Sequence, residues 1–131
     1  MVETFEGGVA TPKGYTAAGQ YVGIKAPGRG LDLALVVSDR PATAAAVFTT
    51  NKAQAAPVVV SKAHLAVSQG TMRAVIVNSG CANACTGAVG MQDAREMASL
   101  TAQLVGCPAE QVLVASTGVI GVNLKMDKIR E

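Results

Sequence analysis

The sequence has no tryptophan and only two phenylalanines and two tyrosines in 131 residues. It therefore offers no row of aromatic faces on which single-stranded bases could stack. Long apolar runs are missing too, and none approaches the roughly 20 residues a spanning helix needs. With one histidine, His64, and few carboxylates near any loop, a Ser-His-Asp triad wholly within this chain is disfavoured. Basic residues are scattered, and the formal net charge of +2 describes an ordinary solvated surface and not a nucleic-acid footprint. The N-terminus, MVETFEGG, is acidic and lacks the apolar stretch of a secretory signal. Three cysteines, an odd number, then read as reduced thiols in a cytoplasmic protein.

What is present is small and apolar. Half the residues are hydrophobic, dominated by alanine, valine and leucine, with glycine between them. Residues 1–131 fit one domain, and a domain near this size buries roughly two-thirds of its unfolded surface. Small side chains let helices approach sheets closely, which suits a layered α/β packing with a mixed sheet covered by helices.

Along the chain, residues 1–20 read as an irregular lead-in. Tyr21–Lys25 and Leu31–Ser38 read as two strands joined through the turn APGRG, a hairpin pattern. Ala44–Thr49 is a third expected strand and Pro57–Val60 a fourth, with Pro57 at its start or on an edge. Ser61–Val67 reads as a short helix with Ser61 as N-cap and Gly70 just past its end. Met72–Asn78 contains a continuous apolar run, the mark of a strand covered on both faces. A glycine-rich loop, Ser79–Gly87, leads into a helix over Val89–Val105. Its apolar positions, including Met91, Ala94, Met97, Ala98, Leu100, Ala102 and Leu104, fall largely on one stripe, and Gly106 follows as a stop. Val112–Ala115 is a further buried strand, Ser116–Gly121 a loop, and Met126 starts another helix that is about one turn long where the sequence stops.

Two loops follow buried strands. In the first, Gly80, Gly87 and Gly90 match neither the dinucleotide pattern nor the phosphate loop, so a tight turn explains them better than a nucleotide site. Cys81 and Cys85 are four apart, Cys107 is distant, and His64 lies on another element. This is not zinc-ligand spacing, and buried inert thiols are the simpler reading. The second loop holds Ser116, Thr117 and Gly118 where α/β proteins place their ligand sites. A hydroxyl beside a glycine N–H can converge on one oxygen, as an acyl-transfer transition state requires. On the local pattern alone, an ordinary strand-to-loop turn is the better reading.

TPKGYTAAGQYVGIK (Thr11–Lys25), FTTNKAQAAPV (Phe48–Val58), NSGCANACTG (Asn78–Gly87) and STGVIG (Ser116–Gly121) resemble, in order and spacing, the N-terminal half of the ornithine acetyltransferase family. The resemblance spans essentially the whole chain. It implies one precursor that cuts itself before a threonine in an Ala-Thr-Met-Leu segment. The freed threonine, heading the second (beta) chain, is the nucleophile, and its own α-amino group is the base. The implied reaction moves acetyl from N-acetylornithine to glutamate by a ping-pong route in arginine biosynthesis. Some members also accept acetyl-CoA as donor; no cofactor and no metal is implied.

By the same resemblance, Thr117 through its hydroxyl and Gly118 through its N–H form the oxyanion hole. NSGCANACTG supports the packing near it. The expected assembly is α2β2 or larger, acting on small molecules, with no nucleic-acid or membrane partner. Two positions depart from the family: Cys81 is commonly asparagine, and prolines common near Asn123–Lys125 are replaced. No Ala-Thr-Met-Leu occurs in these residues, so this polypeptide alone is expected to be inactive. A self-cleaving aminopeptidase of similar architecture and a small-molecule or nucleotide-binding module are the alternative readings.

Overall fold

The computed structural model describes residues 4 and 6–131; half of MVETFEGG, on which the reading of the N-terminus rests, lies outside them. Four strands form one mixed sheet: β1 (Tyr15–Gln20), β2 (Leu33–Thr43), β3 (Thr71–Cys81) and β4 (Val112–Val119). They lie in chain order, with β1–β2 and β2–β3 antiparallel and β3–β4 parallel. The helices are α1 (Ala56–Val67), α2 (Gly87–Val105) and α3 (Met126–Arg130). The α2 crossover is what allows β3 and β4 to run parallel.

Register sorts the sheet into two faces, because successive side chains alternate. Leu33, Leu35 and Val37 of β2 align with Asn78, Ile76 and Ala74 of β3, which align with Ser116, Val114 and Val112 of β4. This face meets Val60 of α1 and Ala94, Met97 and Ala98 of α2 in the core. Ala94 and Ala98 on α2 are buried completely, so helix and sheet approach closely. The opposite face presents Val36, Val75, Val77, Leu113 and Ala115, all only half-buried. The apolar run in β3 is thus covered on one face by the described residues and not on both.

Several elements differ from the sequence reading. The first strand is Tyr15–Gln20, exposed along its whole length; with neither face buried, it shows no alternation to detect. Tyr21–Lys25 is instead a loop wrapped on Asp32, whose carboxylate accepts the Val22 N–H at 2.7 Å and the Lys25 N–H at 2.9 Å. Ala44–Thr49 forms no strand. It opens a loop in which Asn51 Oδ1 accepts the Ala53 N–H at 2.9 Å and Gln54 Nε2 donates to the Thr49 carbonyl at 2.9 Å.

Pro57–Val60 is the first turn of α1 and not a strand. Proline lacks an N–H, which suits a first helical turn as well as a strand edge, and burial of Pro57 and Val60 against the core overrides the strand preference of three valines. Ser61 accordingly lies inside the helix and is not its cap. The long helix begins at Gly87 and ends at Gly106, which has φ +72° and donates to the Ala102 carbonyl at 2.9 Å. Its stripe excludes Leu104, which is exposed, and includes the buried Asp93 and Thr101.

Candidate active site at the ends of the parallel strands

The expected loop at Ser116 is a strand as far as Val119. Asn78, Ser79, Gly80 and Cys81 pair with Ser116, Thr117, Gly118 and Val119. Beyond them the pairing persists, as the Ala82 N–H bonds the Val119 carbonyl and the Gly121 N–H bonds the Ala84 carbonyl, both at 2.9 Å. In a parallel pair, alternate residues of each strand carry the ladder bonds. Val119 bonding β3 places the odd-numbered residues of β4 toward β3 and turns the even-numbered backbone groups outward.

The outward groups meet α1 first. Ser61 Oγ accepts the Val114 N–H at 2.9 Å and donates to the Val114 carbonyl at 2.8 Å. His64 Nδ1 lies 2.9 Å from the Val112 carbonyl. Two helix side chains thereby finish an edge that would otherwise invite another strand. The cover stops at Ser61, since Ala56 to Val60 carry no polar side chain. The outward backbone groups of Ser116 and Gly118 lie past it.

Gly118 has φ +134°, and a Cβ built there would lie 2.6 Å from Cys81 N and Gly80 O. Only glycine suits this approach of β4 to β3. Thr117 and Gly118 are both exposed. Strand alternation sets the Thr117 side chain on the face away from the helices, while register turns the Gly118 N–H off the sheet's edge.

NSGCANACTG is held by its own side chains. Asn83, fully buried with φ +47°, donates from Nδ2 to the Gly90 carbonyl at 2.8 Å and accepts the Thr86 hydroxyl at 2.7 Å. Its carbonyl receives the Ala56 N–H at 3.2 Å. A side chain on Gly90 would run into Thr86 and Asn83. The loop's polar groups therefore join α1 to the start of α2. A residue in the left-handed region of a glycine-rich loop is often asparagine, the one signal by which sequence could have singled Asn83 out.

The remaining candidates do not form a site together. His64 is engaged with Val112, and Cys81 Sγ donates to the Val122 carbonyl at 3.0 Å. Cys85 is exposed, and burial raises the Cys107 thiol pKa despite nearby Arg73. Among the described residues no group of three His, Cys, Asp or Glu could hold a metal ion, and no helix is long and apolar enough to cross a membrane.

The family model that matches the chain is described as the ArgJ family and spans residues 16–131. The chain is 56% identical over 118 residues to the arginine biosynthesis bifunctional protein ArgJ of Geobacter sulfurreducens, covering 90% of this chain and 29% of that protein. With the protein of the same name from Dehalococcoides mccartyi it shares 50% identity over 127 residues, 96% of this chain and 31% of that one. The chain thus spans about three-tenths of these relatives' length.

Two crystal structures share the fold. The arginine biosynthesis bifunctional protein argJ of Bacillus halodurans superposes with a TM-score of 0.88 at 46% identity, over 95% of this chain and 63% of that one. The ornithine acetyltransferase of Mycobacterium tuberculosis, complexed with ornithine, gives 0.83 at 46% identity, over 94% and 65%.

Proposed function

Because this chain belongs to the ArgJ family, we propose that it supplies the oxyanion-stabilising end of an acetyltransferase that moves acetyl from N-acetylornithine to glutamate. What supports this reading is the register of β4, by which the Gly118 N–H is expected to turn outward at the point where Ser61 and His64 cease to cover the strand's edge. An amide so turned, beside an exposed hydroxyl, can hold the charge that develops on a carbonyl oxygen under attack. The ornithine in the Mycobacterium tuberculosis structure supports an amino-acid substrate.

In this reading the nucleophile is a threonine heading a second chain, released from a common precursor by self-cleavage. Its hydroxyl adds to the acetyl carbonyl while its α-amino group takes the proton. Thr117 Oγ1 and Gly118 N–H donate to the resulting oxyanion. The C–N bond breaks, ornithine leaves with the proton, and the acetyl group remains as an ester on threonine. The glutamate amine then attacks that ester and restores the hydroxyl. Acetyl-CoA is a second donor in the same scheme, and α2β2 the minimal assembly. The half-buried apolar face of Val36, Val75, Val77 and Leu113 supports further polypeptide packing there, since a contiguous apolar surface is unfavourable in water.

The test is Thr117→Ala in the complete protein, assayed for acetyl transfer from N-acetylornithine to glutamate. Loss of one oxyanion donor lowers turnover about a hundredfold or more, with little change in KM. Near-normal turnover removes Thr117 from the mechanism.

A further inference from the structure

On the helix-covered face, Asn78 of β3 and Ser116 of β4 are register partners, one position before Ser79–Thr117 and two before Gly80–Gly118. Asn78 is fully buried, and its Nδ2 donates to the Cys81 carbonyl at 2.9 Å. Its Oδ1 accepts nothing, and Ser116 Oγ, equally sealed from solvent, also has no partner. No other buried side-chain nitrogen or oxygen among the described residues is left in this state. A sealed polar atom without a partner bears its full desolvation penalty. The two stand on facing register positions of one sheet face. Their chemistry is complementary, because an amide oxygen accepts while a hydroxyl both donates and accepts. Buried water bonds to polar groups that are otherwise unmet.

We propose that Asn78 and Ser116 are a positioning pair, joined through one buried water, that sets the direction of Thr117 and Gly118. The proposal rests on the oxyanion reading above. Ser61 grips β4 at Val114. After Gly118, the Val119 carbonyl is tied to Ala82 and the Val122 carbonyl to Cys81 Sγ. Between those two grips stand Ser116, Thr117 and Gly118. The water would hold the middle of this span from the core side and, through Asn78 Nδ2, link it to Cys81. Neither residue touches the reacting atoms; both act through Thr117 and Gly118.

The experiment uses the complete protein with Ser116→Ala, Ser116→Thr, Asn78→Ala and the Asn78→Ala/Ser116→Ala double variant. Ser116→Ala is expected to lower kcat about tenfold, as small misplacements of positioned groups do, with KM within about twofold. Ser116→Thr should restore turnover by returning the hydroxyl. The double variant should be no slower than the slower single one, as members of one network are not additive. A crystal structure of the unmodified protein should show one water between Asn78 Oδ1 and Ser116 Oγ. Absence of that water, equal turnover of the Ala and Thr variants, or additive losses overturns the pair. If Ser116→Ala does not fold, the electron density alone decides. Thr117→Ala separates the two failures. Normal turnover there sinks the oxyanion reading and the pair with it, whereas a slow Thr117→Ala beside a normal Ser116→Ala removes only the pair.

Discussion

Ser61 and Val114 are bonded twice, the serine hydroxyl accepting the valine N–H at 2.9 Å and donating to its carbonyl at 2.8 Å. One helical side chain thus completes both backbone groups of a strand residue that has no strand on its outer side. Burial of Ser61 seals these bonds from water, so nothing replaces them when the hydroxyl is lost. Ser61→Ala is expected to destabilise the complete protein by about 1–3 kcal/mol, the usual cost of a buried polar group left unmet. Denaturant unfolding measures this. A loss within a few tenths of a kcal/mol would show that water reaches the edge.

Gly118 and Gly80 meet backbone to backbone. An added methyl at Gly118 overlaps Gly80, and the positive φ disfavours any L side chain. Gly118→Ala is therefore expected to cost about 1–3 kcal/mol of local strain and to move the N–H that the proposed reaction uses. Acetyl transfer should fall at least as far as in Thr117→Ala. An alanine variant of ordinary activity and stability would mean that β3 and β4 part here without penalty.

Asp32 gives a pH dependence with a definite sign. Burial pushes its carboxyl pKa up, but the N–H groups of Val22, Lys25, Ile24 and Gly23 outweigh this and hold it below its ordinary value of 3.8. A lowered folded-state pKa means that the ionised carboxylate stabilises the fold fully above that ordinary value. The contribution then fades as pH falls toward the lower folded value. Asp32→Asn should be less stable than the parent at neutral pH, and the gap should narrow on acidification. Thermal unfolding at a series of pH values checks this, and a gap that widens toward acid contradicts it.

The legible parts of the fold have local signals. The α2 stripe repeats at helical spacing and stops at a glycine. The runs in β3 and β4 are short, apolar and bounded by loops. Tyr15–Gln20 gave no such signal because a strand exposed throughout has no apolar side to alternate. Pro57–Val60 misled for the opposite reason, since three valines carry strand preference while burial of Pro57 and Val60 in a helix decided the outcome. In the candidate site, Thr117 and Gly118 were legible as a hydroxyl beside a glycine. Ser61, Asn83 and the facing pair Asn78 and Ser116 were not, because their partners are distant in sequence or appear only once strands are paired.

By itself the sequence determined the α/β class, the strand–helix–strand order around α2 and the family motifs, all of which depend on residues close together along the chain. Tertiary structure alone decided that β1 exists, that α1 starts at Ala56, that β4 runs on through Gly118, and which way each backbone group of β4 points. Those outcomes depend on pairing between segments far apart in sequence. A strand's register is set by the neighbour it bonds and the face it buries, and neither is written in the strand's own residues.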